Sequence, residues 1–496
     1  MTLLSVTARG ARERAARGLL LLASVVLALV SPRPYANWNS GSRLAAVESL
    51  VDYRTWEIDR SVFAKPLRVD AFAPSPYEPC SRRTRLTHLQ KLPVDSKLMY
   101  AGYLRTSIAG TGDKMLIGSH YYSDKSPLPS LLMAGVYSVI QSASGLTARS
   151  RADVFIYSMT LISSGLPYFA AVAAVSALAV RLLGARGLLL AASFTFATAA
   201  PSFTRDVNIH IVLLASAAAL FLGLNAFRER LRQGHRPWLV AGALGTLGGF
   251  AYGTDMGAGP VLFVTLLPLV AYRCFSGEKS DVRLFLIFLL AAAPWIAAHH
   301  VLNFRIGGTF WPASASLQNF QWPDSPWTSD NLTGSWKHPN LQSAVKSAMG
   351  FLFGFLLHNP TLLLALAGFV LLLRDRRKVD EMPELIFAAA WSAGTWLLYS
   401  SASRTGQIGF ARWFLPMLAP GYYVLAILLR ERPKLWREFL ILSGGGAVIA
   451  ANLWRWGPWI RIVPNIRTAL ATALLVWIFL WLSNRIPPPS LTSERT

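Results

Sequence analysis

The chain has 496 residues, of which 53% are hydrophobic, 12% aromatic and only 15% charged, with a mean hydropathy of +0.39. That balance excludes an ordinary soluble domain of this length and reads as a polytopic membrane protein. The net charge of +23 would suit nucleic acid in a soluble chain, but the basic residues lie in short clusters between apolar runs. They read as orientation signals, and no nucleic-acid partner is expected.

Arg9, Arg12, Arg14 and Arg17 precede the first apolar run, 18–31, which places the N-terminus in the cytoplasm. The same basic-then-apolar order resembles a secretory signal peptide. An uncleaved anchor is preferred, because the charges of the later loops balance only if the run is retained. The first outer loop then occupies 32–152 and carries juxtamembrane helices. Its polar part closes on GSHYYSDKSP, Gly118 to Pro127, where an imidazole, two phenols, a carboxylate and an ammonium stand just before an apolar helix.

That helix, Leu128 to Leu146, decides the topology. If it crosses, the clusters around Arg181, Arg228, Arg273, Arg374 and Arg430, seventeen basic residues, fall outside, against the positive-inside rule. If it lies at the outer surface as an interfacial or re-entrant helix, all seventeen become cytoplasmic. The second arrangement is adopted. It gives about twelve spans, each needing about 20 apolar residues: 18–31, 153–180, 187–201, 208–226, 238–253, 259–275, 284–300, 348–373, 383–400, 413–429, 438–453 and 468–484. Helices 2 to 7 fill 153–300, a second outer loop rich in Trp and Pro fills 301–347, helices 8 to 12 fill 348–484, and 485–496 is a cytoplasmic tail. Glycines such as those of GTLGGF, Gly245 to Phe250, suit close helix packing. Cys80 and Cys274 fall on opposite sides and cannot pair.

The predicted helix interiors hold almost no ionisable residues, whereas ion-coupled transporters keep theirs near the midplane. Acidic residues gather at the outer face instead. A surface site with carboxylates and guanidiniums suits group transfer from a lipid phosphate: a carboxylate takes a proton from the acceptor hydroxyl, and cations stabilise the departing phosphate.

The order NWNSGSRLAAVESLV, WEID, TGDK, GSHYYSDKSPLPSLL, followed by LTGSWKHPN, FLFGFLLHNPTLLLALAG and TGQIGFARWFLPMLAP, resembles bacterial membrane glycosyltransferases of the GT-C superfamily. These include protein O-mannosyltransferases and the lipid A aminoarabinose transferase. The resemblance covers most of the chain. It implies an all-α polytopic GT-C-like fold, a polyprenyl-phosphate-linked sugar as donor, an acceptor glycan, lipid or protein, and an inverting displacement. It also implies a site facing the periplasm or exterior of an inner membrane, and the loop charges place both termini in the cytoplasm. Many relatives carry an Asp-Glu pair shortly before an Arg at the start of the first loop. Here Ser40, Gly41 and Ser42 precede Arg43, so the base must come from elsewhere.

Asp113 and Asp59 are the candidates for that base, each with a plainer alternative: Asp113 in a glycine-containing turn bonds its own backbone, and Asp59 pairs with Arg60 or Arg54. Asp124 supports Lys125 or contacts a metal or the acceptor. Lys125, Arg43 and Arg412 are the expected phosphate ligands, against the alternatives of a snorkelling anchor, a loop cap and an arginine with another partner. His120, Tyr121, Asp206 and His210 are possible substrate contacts, though Asp206 also suits a helix cap. No Cys or His cluster has metal-site spacing, and a divalent ion remains only an option. A flippase of lipid-linked sugars, a glycan-binding scaffold without catalysis and an oligosaccharide ligase or polymerase are the competing readings.

Overall fold

The computed structural model describes residues 3–33, 36–64, 111–276, 281–322, 351–375, 379–400 and 408–456, with isolated positions 325, 327, 345 and 348. The expected last span, 468–484, the acidic residues Asp70, Glu78, Asp95 and Asp324, Cys80 and most of 323–347 in the second loop lie outside the described residues.

The chain opens with α1 (Leu3–Val30), which begins well before the apolar run. Helix α2 (Trp38–Asp52) follows, started by Asn37, whose side chain accepts the Ser40 amide at 2.9 Å. After it stands an antiparallel hairpin of β1 (Lys114–Ile117) and β2 (His120–Ser123), with Lys114 opposite Ser123 and Ile117 opposite His120. Gly118 turns it at φ +62°, in the left-handed region that suits glycine. This hairpin departs from the all-α expectation. The polar residues of the motif lie in an extended ribbon, where alternate side chains point to opposite faces.

Helix α3 (Pro127–Ser144) starts on Pro127 and ends at Gly145 in the left-handed conformation. It buries Leu128, Met133, Ala134 and Tyr137 and exposes Leu131, Leu132, Val136 and Val139. Beyond it run α4 (Ala152–Thr160), a π turn (Leu161–Gly165), α5 (Leu166–Leu183) and α6 (Gly187–Phe196). Then come α7 (Ile209–Arg232), α8 (Trp238–Thr254), α9 (Ala258–Phe275) and α10 (Val282–Gly307). The described chain closes with α11 (Thr361–Arg374), α12 (Met382–Ser400), α13 (Leu418–Glu431) and α14 (Trp436–Trp456).

Five stretches among the described residues are long and apolar enough to cross a membrane: Ala152–Phe196, Ile209–Arg232, Ala258–Phe275, Val282–Gly307 and Arg412–Glu431. The chain is an integral membrane protein. Helix α3 is not one of the five. Three expected spans are broken where proline or a short polar run interrupts them. The span expected at 187–201 ends as α-helix at Phe196 and resumes as a 3-10 turn, Ala200–Arg205, around Pro201. That expected at 348–373 is split into a π turn, Leu352–Leu356, and α11, with Asn359 and Pro360 between. That at 413–429 begins as a 3-10 helix, Ile408–Met417, containing Pro416.

Helices α8 and α10 touch backbone to backbone. A Cβ on Gly245 would stand 2.1 Å from the Phe288 carbonyl oxygen, and one on Gly249 2.5 Å from that of Ala292. The GTLGGF run therefore packs closely, as its small residues suggest. The main core joins Tyr168, Phe194, Phe221, Trp391, Tyr422 and Tyr423 across five of the helices. At the C-terminal end of α7, Arg228 lies 2.7 Å from Glu381, which also takes two hydrogen bonds from Arg430 at 3.0 and 2.8 Å. Arg273 grips Glu384 in the same bidentate way, at 2.9 and 2.6 Å. These buried charges are paired, as burial requires.

Candidate active site

The site grows from the first turns of α2. Arg43 is 4% exposed, and its Nη1 donates to the carbonyl of Asn39 at 3.0 Å and to its Oδ1 at 2.5 Å. One residue earlier, Ser42 Oγ bonds Ser123 Oγ at 2.7 Å and donates to Asp124 Oδ1 at 3.0 Å. The hydroxyl of Ser42 thus meets the Asp124 carboxylate where a carboxylate at position 42 would repel it.

Lys125 is the centre of charge. Its ammonium is 2.8 Å from Asp113 Oδ2 and 2.8 Å from Asp124 Oδ2, with all three side chains largely buried. Burial pushes the Asp124 carboxyl above its usual range, and Lys125 opposes that push. Asp113 is carried there by its turn: its amide donates to Thr111 Oγ1 at 3.0 Å, and Thr111 Oγ1 donates to the Trp38 carbonyl at 2.7 Å. Gly112 lies flat against the Trp38 ring, where a Cβ would stand 2.9 Å from it. From the second loop, Trp327 Nε1 donates to the Gly112 carbonyl at 2.7 Å and Trp322 Nε1 to that of Lys114 at 3.3 Å. Two tryptophans thus bond to the backbone of this turn and of β1. A pocket of about 10 Å³, room for a single water, lies beside Lys125, lined by Trp56, Tyr122, Ser123 and Ser130 among others.

The motif is bolted to α8, because Ser126 Oγ donates to the Gly253 carbonyl. Two residues beyond stands Asp255. Its Oδ1 accepts the amides of Gly257 at 2.9 Å and Ala258 at 2.7 Å and the Tyr399 hydroxyl at 2.8 Å, while Oδ2 lies 3.3 Å from His210 Nδ1. His210 is set by the start of α7: Asn208 Oδ1 accepts its amide at 2.9 Å, and Ser164 Oγ accepts that of Asn208 at 2.9 Å. The Asp206 carbonyl accepts from Ser164 Oγ at 2.7 Å. Arg412 completes the group beside Trp413, whose ring stacks on Tyr399 at 4.8 Å. Burial first, then the like charge of Arg412, lowers Arg43 to about 10, against the pull of Asp124, Asp113 and Asp255. Two guanidiniums, one ammonium and three carboxylates therefore act on one another here.

Asp59, His120 and Tyr121 make their contacts elsewhere. The Tyr121 amide donates to both Asp59 oxygens at 3.3 and 3.2 Å, and His120 Nδ1 is 3.5 Å from Asp59 Oδ2 and 3.5 Å from Glu57 Oε2. Ligand atoms of Glu57, Asp59 and His120 all lie within 4.8 Å of one another, a donor set of the kind that suits one divalent cation. The Tyr121 ring lies under the Lys114 ammonium, 4.1 Å from its centroid. Asp255 and Ser42 carried no role in the sequence reading, and Tyr399 did not figure in it. The one available signal was a carboxylate, Asp255, isolated between two apolar helices.

No family profile matches the chain, and no curated protein sequence matches it. Among solved structures, the apo oligosaccharyltransferase of Archaeoglobus fulgidus aligns over 96% of this chain and 58% of its own, at 12% identity and a TM-score of 0.44. The same enzyme with Zn and sulfate aligns over 95% and 55%, at 13% and 0.46. Its complex with an inhibitory peptide and a dolichol-phosphate aligns over 97% and 59%, at 12% and 0.44. This chain spans less than two thirds of that protein's length. A likeness this distant assigns neither family nor activity.

Proposed function

We propose that the protein is a membrane glycosyltransferase of the GT-C type, moving a sugar from a polyprenyl-phosphate donor to an acceptor on a glycan, lipid or protein. The observation that carries this is the cluster of Arg43, Lys125 and Arg412 with Asp113 and Asp124, largely withdrawn from solvent in a membrane protein. Three cations that sit among carboxylates can bind a phosphate without leaving buried charge uncompensated. They gain most when the sugar departs and the phosphate takes up its negative charge, which is where electrostatic catalysis acts. The acceptor hydroxyl must lose its proton to a base in the same group. The site faces the periplasm or exterior of an inner membrane, with both termini in the cytoplasm.

The test is transfer by the purified protein in proteoliposomes, using a panel of synthetic polyprenyl-phosphate hexoses and pentoses with envelope extract as acceptor. Release of polyprenyl phosphate is read. Alanine at Lys125, Asp113 or Asp59 separates the two clusters: Lys125→Ala and Asp113→Ala should cost at least about 100-fold, and Asp59→Ala should cost less. Unchanged release from all three variants would sink the reading.

A further inference from the structure

We propose that His210 is the general base of the transfer and that Asp255 is its positioning residue; this rests on the glycosyltransferase reading. The carboxylates of Asp113 and Asp124 are already engaged, each by the Lys125 ammonium at 2.8 Å, and Asp124 also by Ser42. Protonating either would break a buried ion pair, which costs several kcal/mol. Protonating His210 instead leaves both Lys125 ion pairs intact and sets the new charge against Asp255, 3.3 Å away.

The His210–Asp255 pair is built for that task. Both residues are buried, at 6% and 5% exposure, and both are held in place: the His210 amide by Asn208 Oδ1 at the start of α7, and the Asp255 carboxylate by the amides of Gly257 and Ala258. Three donors occupy Asp255 Oδ1, so the free direction of the carboxylate is Oδ2, 3.3 Å from His210 Nδ1. That nitrogen has no aligned hydrogen bond in this state. Catalytic hydrogen bonds are often long before substrate binds and tighten in the complex. With its proton on Nδ1 toward Asp255, the neutral ring keeps the Nε2 lone pair, and Nε2 makes no hydrogen bond among the described residues.

The charged groups acting on His210 are Asp255, Arg412, Arg43 and Lys125, with Tyr399 reaching it through Asp255. The three cations are the ones assigned to the donor phosphate, so a sugar bound through that phosphate sits beside the imidazole. The step balances. The acceptor hydroxyl gives its proton to Nε2, and its oxygen pair forms the bond to the anomeric carbon. The bond from that carbon to the phosphate oxygen breaks, its pair leaving on the phosphate against Arg43, Arg412 and Lys125. The imidazolium is paired with Asp255 until its proton passes to water. Asp255 thus acts as the buried aspartate of a histidine dyad does, holding the tautomer and the charge.

The experiment uses the full chain in the same proteoliposome assay. His210→Gln should lower kcat by about 100- to 10,000-fold with donor KM within threefold, and exogenous imidazole should restore part of the rate to His210→Gly. Asp255→Asn should shift the acidic limb of the rate profile to lower pH, because the imidazolium loses its anion. Thermal unfolding of each variant separates folding from chemistry. If wild-type protein transfers sugar while folded His210→Gln keeps its kcat, or Asp255→Asn leaves the limb unmoved, the base assignment falls and the transferase reading stands. If wild-type protein transfers from no donor, both fall.

Discussion

Lys125 and Asp113, twelve residues apart and separated by the whole hairpin, meet at 2.8 Å, and Asp124 closes on the same ammonium from the adjacent position. The hairpin folds the acid back onto the base. Removing the ammonium leaves two buried carboxylates facing each other, and breaking a buried pair costs about 3 to 5 kcal/mol. Lys125→Met should therefore lower the thermal midpoint sharply, and Asp113→Asn/Asp124→Asn/Lys125→Met should recover most of it without recovering transfer. Unfolding curves in detergent decide this; a single variant as stable as wild type would disprove the pairing.

Arg43 gives a pH-dependent test. Its neighbours and burial lower it to about 10, which leaves an arginine charged across the working range. A lysine starts from a lower ordinary value, and the same burial and the same neighbouring Arg412 would push it down toward the working range. Arg43→Lys should then bind polyprenyl phosphate at pH 6.5 and lose it by pH 9, while wild-type binding changes little. Tryptophan fluorescence titration at the two pH values reads the difference. A flat response from the variant would place Arg43 outside the phosphate site.

Glu48 in α2 is fully buried; its Oε2 accepts Ser61 Oγ at 2.6 Å and the Val62 amide at 3.0 Å, and burial pushes its carboxyl up to about 7. Between the unfolded value near 4.5 and 7 the folded state holds the proton more tightly. Its stabilising effect is complete below the lower value and is lost as pH rises through the upper one, on the order of 3 kcal/mol in all. Glu48→Gln keeps an acceptor for Ser61 and Val62 and carries no charge. Its thermal midpoint should hold from pH 5 to pH 8 where the wild type falls, and parallel curves would reject the assignment.

Gly245→Ala tests the α8–α10 contact. A methyl 2.1 Å from the Phe288 carbonyl oxygen must push the helices apart, costing about 1 to 3 kcal/mol as overpacking does. Gly444→Ala in α14 is the control: nothing lies within 4 Å, and alanine in a helix favours folding by about 1 kcal/mol. Opposite shifts in thermal midpoint are expected.

Much of the site was legible because Arg43, Asp113, Asp124 and Lys125 belong to one polar segment in an apolar chain. Apolar runs likewise marked the long helices, and the mixed composition of Leu128 to Leu146 marked α3 as unlike them. Asp255 counted among the acidic residues of the outer face but carried no role, because only the fold brings the Ala258 amide, His210 and Tyr399 around it. Asp59 stood in the same polar segment as Asp113, yet the bridge from Ile58 to the Tyr121 carbonyl at 2.8 Å carries it to His120 and Glu57. Proximity in sequence could not separate the two acids. The split of 348–373 turned on Asn359, whose Oδ1 accepts the Ala199 amide at 2.8 Å, a partner 160 residues away.

Helix α7 carries His210 at its first turn and Arg228 near its last, so one rigid element ends in the candidate site and in the Arg228–Glu381–Arg430 cluster. Eighteen residues at about 1.5 Å each separate them by roughly 27 Å, close to the hydrocarbon thickness of a bilayer. The helix is clamped at both ends and cannot slide or turn about its axis. Lengthening it by a single residue would rotate one end about 100° against the other, so that His210 could face Asp255 or Arg228 could face Glu381, but not both.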